Sequence, residues 1–181
     1  MPCKGGYRET IDEAKRRARE EREEMRTDPF RKLWVSLVER ENSPAGGFEM
    51  LSEAEKLYYA VGLLELEVYN GGFHQYFFNS SGSSYSYAEK GLISLGAIQT
   101  VELLRQAKEV LFPSMAVPVD TGARRRLIPL DADSDEPAPD WTHRLDELDR
   151  RFWADSENLG TRLKAFAREH ELVSSSQGTD C

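Results

Sequence analysis

The sequence predicts an all-α fold, a compact helical bundle of about six to eight helices with one long Pro- and Asp-rich loop. Three observations carry this. Large apolar residues recur at three- and four-residue spacing, not alternately. Side chains that cap helices stand immediately before those runs, and Gly or Pro stands immediately after them. No period of repeat length and no alternating β pattern competes with this reading.

Taken in order, the first element is a charged arm. Residues 8–26 mix Arg, Lys and Glu around a thin stripe of Ile11, Ala14, Ala18 and Met25, the pattern of a solvated helix laced with i,i+4 ion pairs. Asp28-Pro29 opens the next helix, since Asp caps and Pro suits the first helical position. Phe30, Leu33, Trp34, Leu37 and Val38 form its apolar face, and the loop from Asn42 to Gly47 ends it.

Ser52-Glu53-Ala54-Glu55 has the spacing of a capping box. The helix it opens runs through Leu57, Val61, Leu64 and Val68 and is expected to stop at Asn70-Gly71-Gly72, where Gly accepts the left-handed conformation. An aromatic segment, Phe73 to Phe78, follows, then a polar turn from Asn79 to Ser84 that offers N-caps to the next helix. That helix spans Tyr85 to Leu95 with Gly96 as its stop. Another spans about Ile98 to Phe112 and ends at Pro113.

Residues 114–139 are rich in Pro and Gly and poor in large apolar groups, so they read as a long surface loop with a short helical turn near Thr121–Leu127. Asp140 opens a helix through Trp141, Leu145, Leu148 and Phe152, and Asn158 opens the last, through Leu159, Leu163 and Phe166. The organisation is therefore a charged arm (1–27), a helical domain (28–173) and a disordered polar tail (174–181).

Composition narrows the function classes. Of 181 residues 39% are hydrophobic, enough for a core with Trp34, Trp141, Trp153 and eight Phe as its large groups. The formal net charge is −8, which argues against direct binding of nucleic acid and favours basic partners. Residues 1–41 hold 11 basic and 10 acidic residues, so the acid excess belongs to the body and not to the arm. Cys3 and Cys181 are isolated thiols near the two ends, no stretch approaches a membrane span, and the first residues carry no apolar signal core. A cytoplasmic protein is the expectation.

The densest set of chemical groups is Glu67 to Gly82, which combines Asn70, Gly71, Gly72, Phe73, His74, Gln75, Tyr76 and Asn79. Two readings of it are open. It is a pocket where Asn70, Gln75 and Asn79 orient a ligand and His74 moves a proton. Or it is a corner, with the glycines making the turn, the aromatics filling the core and the amides bonding loop backbone.

No other constellation carries catalysis or a cofactor. His74, His143 and His170 lack metal-ligand spacing, His170 reading as a partly buried structural residue and His143 as exposed. There is no nucleophile elbow and no phosphate-binding glycine fingerprint. Glu65 and Glu67 are two apart, so a helix points them to different sides. No catalytic residue, metal or cofactor is expected.

The candidate partner-binding surface is acidic. Asp131, Asp133, Asp135, Glu136 and Asp140 crowd together, and Asp146, Glu147 and Asp149 follow on the next helix. Carboxylates a few ångströms apart imitate phosphates, which duplex DNA presents at about one charge per ~1.7 Å of axis. The plainer reading is a solvated acidic loop partly neutralised by Arg144, Arg150 and Arg151. Arg124-Arg125-Arg126 reads as internal pairing or solvation, being too few for a nucleic-acid site.

Several segments together resemble a known family. Leu51-Ser52 through Tyr58, Leu64, Glu67-Val68, Asn70-Gly71-Gly72-Phe73, Gln75-Tyr76-Phe77, Asn79-Ser80-Ser81-Gly82 and Leu95-Gly96-Ala97 look like the bacterial DNA-mimic protein family over roughly residues 50–170. The resemblance implies a compact helical domain, and an acidic homodimer that occupies the DNA-binding face of a transcription factor. No binding residue comes with it, because the shared motif is corner and core. The expected function is thus a non-enzymatic acidic module that binds a basic protein partner, such as a DNA-binding transcription factor, with neither nucleic acid nor membrane as a direct partner. The alternatives are an immunity- or antitoxin-like protein, or a small-ligand binder at the Asn70–Asn79 corner.

Overall fold

The computed structural model describes residues 11, 13–19, 23, 26–128 and 140–173. Among them there are helices and no strands, as expected. The described residues of the arm are helical and, Ala18 apart, exposed. The tail 174–181 and most of the acidic loop fall outside the described residues.

Helix α1 (Pro29–Asn42) begins as its sequence dictates, with the Asp28 carboxylate accepting the Phe30 N–H at 3.0 Å. A short 3₁₀ turn, Phe48–Met50, leads to Ser52. There the capping box is complete: Ser52 Oγ accepts the Glu55 N–H, and Glu55 Oε2 accepts the Ser52 N–H at 2.8 Å.

Helix α2 departs from expectation. It does not stop at Gly71-Gly72 but spans Glu53–Phe78, with non-helical backbone only at those two glycines. The aromatic segment is thus the second half of a kinked helix. The reason lies in what meets the break. A straight helix would join the Phe73 N–H to the carbonyl of residue 69 and the Val68 carbonyl to the N–H of residue 72. Here the Asp149 carboxylate accepts the Phe73 N–H at 2.8 Å, and Trp153 Nε1 donates to the Val68 carbonyl at 2.9 Å. Both partners come from one later helix, so the chain resumes its coil with both groups satisfied.

The polar run after α2 also differs. It forms a second 3₁₀ turn, Ser80–Ser84, that flows into α3 (Tyr85–Ser94), and no side chain caps that helix. The Ser84 hydroxyl instead donates to the Ser81 carbonyl at 2.7 Å. Helix α3 ends in a Schellman arrangement: Ala97 N–H reaches the Leu92 carbonyl, Gly96 N–H reaches the Ile93 carbonyl, and Gly96 has φ 67°. Helices α4 (Ile98–Leu111), α5 (Thr121–Leu127), α6 (Asp140–Trp153) and α7 (Leu159–Glu169) follow near their expected positions.

The central element is α2, packed against α1, α3, α5, α6 and α7, while α4 lies on α3 and α6. Its amphipathic first half cannot be the whole explanation, because after the kink Phe73, Tyr76 and Phe77 are also fully buried. With Leu37, Val61, Leu64, Val68, Leu92, Leu104 and Phe112 they form the middle of the core. One side chain corrects the sequence reading: His170 is exposed, its ring 4.1 Å from that of Phe166 at the end of α7. His143 is exposed, as expected.

Candidate functional site

The kink and the segment after it form a polar lock. Glu67 lies two turns before Gln75 on the inner edge of the bend. Its carboxylate accepts Gln75 Nε2 at 2.6 Å, Asn79 Nδ2 at 3.0 Å and Ser81 Oγ at 2.7 Å. The amides expected to bond loop backbone thus converge on a carboxylate, because the kink brings both ends of the aromatic segment back over Glu67. Gln75 passes close over Gly71, where an added Cβ would meet its Oε1 at 2.2 Å.

Gly72 carries the turn, at φ 72°, and lies under Asp149, whose Oδ2 would be 2.1 Å from any Cβ there. Asp149 was expected on the acidic surface; it is instead buried, 7% exposed. Its position one turn after Leu145 and beside Leu148 puts it on the buried face of α6. Burial pushes its carboxyl up to about 6, reinforced by Asp146 and opposed by the Phe73 N–H and by His74.

The carboxyl end of α2 is held by an arginine. Arg124 is fully buried, and its guanidinium donates to the carbonyls of Phe77 (2.9 Å), Asn79 (2.6 Å), Pro118 (2.8 Å) and Val119 (2.8 Å). Its partners among the described residues include these carbonyl oxygens together with the hydroxyls of Ser83 and Thr121. A cation over the last carbonyls of a helix also meets the negative end of its dipole. Gly82 leaves room, since a Cβ there would lie 2.9 Å from Arg124 Nε. Arg125 bonds the Phe78 carbonyl and stacks on the Phe78 ring. His74 is sandwiched between Phe78 and Trp141, with ring centroids 5.8 and 5.6 Å away.

Gln75, Asn79 and Ser81 are therefore engaged within the fold on Glu67, whereas the fully buried Tyr76 has no hydrogen-bond partner for its hydroxyl among the described residues. Asn70 is exposed and faces a separate groove shared with Trp34 and Tyr69. The structure does not bring Asn70, Gln75 and Asn79 around a common ligand space.

Of the acidic candidates, Asp131, Asp133, Asp135 and Glu136 lie outside the described residues. Asp140, Asp146 and Glu147 are exposed on α6. Their neighbours are of mixed sign: Glu147 shares a cavity of about 580 Å³ with Arg144, Arg151, Arg105 and Lys108 and with Glu102 and Glu109. No group of His, Cys, Asp and Glu suited to a metal ion occurs among the described residues, and no described helix is long and apolar enough to cross a membrane.

Three residues of the lock were not legible beforehand. Glu67 could have been found from its spacing of eight to Gln75, two helical turns, had the helix been allowed to continue. Arg124 and Trp153 gave no local signal, since both act on backbone atoms far away in the chain.

These features define an all-helical scaffold in which a kinked central helix is clamped by a buried carboxylate and a buried arginine, and its outer helix displays charge. The chain belongs to the DMP19-like protein family, whose pattern matches residues 49–170. No curated protein and no solved structure matches it.

Proposed function

We propose that the protein is a non-enzymatic binding module that engages the basic surface of a DNA-binding protein in the place of DNA. The observation that carries this reading is the charge of the family-matched segment: residues 49–170 hold 20 Asp and Glu against 13 Lys and Arg. Membership of the DMP19-like family supports the same direction, that of a DNA mimic. The lock contributes by orientation. With Asp149 anchored on Phe73 and with Leu145, Leu148 and Phe152 buried, α6 must turn Asp140, Asp146 and Glu147 outward.

Association would be steered by long-range charge, so it should weaken as salt screens it. The test is capture of partners from a bacterial lysate at low and high salt, with identification by mass spectrometry. A DNA-binding protein held at low salt, released at high salt and displaced by duplex DNA is the expected result. Charge reversal at Asp131, Asp133, Asp135 and Glu136 should then lower affinity; an unchanged affinity would exclude that loop as the contact.

A second reading, neutralisation of a toxin through shape and apolar contact, is favoured by one feature. Leu66, Tyr69 and Trp153 are large apolar side chains left 49%, 47% and 47% exposed. A partner that stays bound in high salt and ignores DNA would establish it over the first.

A further inference from the structure

Apart from the Glu67 cluster, an apolar groove of about 380 Å³ opens between α1, α2 and α7, walled by Trp34, Tyr58, Tyr69 and Leu163 with Glu65 among them. Two glycines shape it. A Cβ at Gly62 would lie 2.4 Å from Trp34 Cζ3, so the indole rests directly on the helix and forms one wall. Gly160 leaves α7 bare beside the carboxylate, where a Cβ would come 3.5 Å from Glu65 Oε1. The rim includes the half-exposed Leu66 and Tyr69, and Trp153 adjoins it through its bond to the Val68 carbonyl.

Glu65 differs from Glu67 in one decisive respect. Glu67 is saturated by three donors, whereas among the described residues neither a hydrogen bond nor an ion pair reaches Glu65. Burial raises its carboxyl above the ordinary value, Asp155 adds to that, and Lys164 opposes it. Lys164 lines the groove too, but its ammonium lies over the Phe30 ring, 5.5 Å from the centroid. Asp155 is spent on α7, accepting the Leu159 N–H at 2.8 Å. A carboxylate with open acceptor sites therefore stands in an aromatic-walled groove whose nearby formal charges, Glu65, Asp155 and Lys164, sum to one negative.

We propose that this groove receives an arginine side chain of a protein partner, its guanidinium paired with the Glu65 carboxylate and flanked by the rings of Trp34 and Tyr69. The proposal deepens the reading of the protein as a binder of basic surfaces and rests on it. Arginine fits better than lysine for three reasons. A guanidinium matches both oxygens of one carboxylate, its plane stacks on aromatic rings, and it sheds water more readily than an ammonium. Half-exposed aromatic side chains around a pocket that takes an arginine are also what a central binding contact is built from.

The test uses the full chain and N-acetyl-arginine methylamide, followed by the indole N–H resonances of the three tryptophans. Trp34 should shift saturably while Trp141, which stacks on His74 and does not line the groove, stays still. The isosteric but uncharged N-acetyl-citrulline methylamide should bind at least about tenfold more weakly, the value of one charge-assisted hydrogen-bond pair. Glu65→Gln should weaken arginine binding by a similar factor without lowering thermal stability, since Glu65 holds nothing in the fold. Tyr69→Ala, at a half-exposed position, should also weaken it. A shift that never saturates, equal binding of the citrulline compound, or full binding by Glu65→Gln would each overturn the proposal. No partner protein enters this experiment. Its failure would therefore leave the basic-partner reading standing, and salt-insensitive capture would defeat that reading without touching the groove.

Discussion

Asp149→Asn separates the charge of the buried clamp from its geometry. The carboxyl accepts the Phe73 N–H at 2.8 Å, and the amide oxygen of Asn accepts it equally well. What changes is titration. Burial holds the Asp149 carboxyl at about 6 against an ordinary 3.8. The folded state therefore binds a proton that the unfolded chain has already lost, and stability falls as pH rises through that window. The Asp149 contribution is fully present below the unfolded value and is lost above the folded one. At 1.36 kcal/mol for each unit of pKa, and allowing for screening by solvent, integration from pH 4 to pH 7 gives a loss of about 2 kcal/mol. Asn does not titrate, so the stability of the variant relative to the parent should rise by that amount between pH 4 and pH 7. Any constant difference from repacking the amide cancels in this comparison. Urea unfolding at the two pH values, followed by tryptophan fluorescence, reads it directly, since Trp153 and Trp141 flank the clamp. In thermal melts the same change corresponds to roughly 4–8 °C for a domain of this size. If the two unfolding midpoints moved in parallel with pH, Asp149 would have to be ionised in the fold, and the burial argument would be wrong.

Three further outcomes follow from the same contacts. Gly72→Ala forces a Cβ into left-handed backbone and against Asp149 Oδ2, 2.1 Å away, and should cost about 2–4 kcal/mol in urea unfolding. Arg124→Met removes the donor to four carbonyls in a fully buried position, and a loss of about 3–5 kcal/mol should be visible as a lowered melting temperature by circular dichroism. Reversal of Asp140, Asp146 and Glu147 to Lys should leave the melting temperature within a few degrees, because all three are exposed. It should weaken binding of a captured DNA-binding protein and flatten its salt dependence in an equilibrium titration.

Much of the fold was written locally. Ser52 and Glu55 close the capping box, Asp28 caps α1, Gly96 ends α3 and Asp120 starts α5 by bonds that span at most five residues. Such signals are legible in sequence because both partners stand a few positions apart. The face of α6 followed from spacing alone, and so did the burial of Leu145, Leu148 and Phe152.

Tertiary structure decided what happens where the local rule is overridden. Asn70-Gly71-Gly72 has every mark of a helix end, and the chain continues only because Asp149 and Trp153 satisfy the broken turn from 76 and 85 residues away. The same contact took Asp149 out of the acidic surface where its neighbours placed it. Arg124 and Glu65 are the remaining cases. One is a charged residue made internal by distant carbonyls, and the other is a carboxylate left without a partner in a groove that two glycines and an indole keep open. Helix starts and stops depend on neighbours in the chain, whereas the fate of a buried charge depends on which groups the folded chain brings to it. The second kind of information lives in the packing and not in the order of residues.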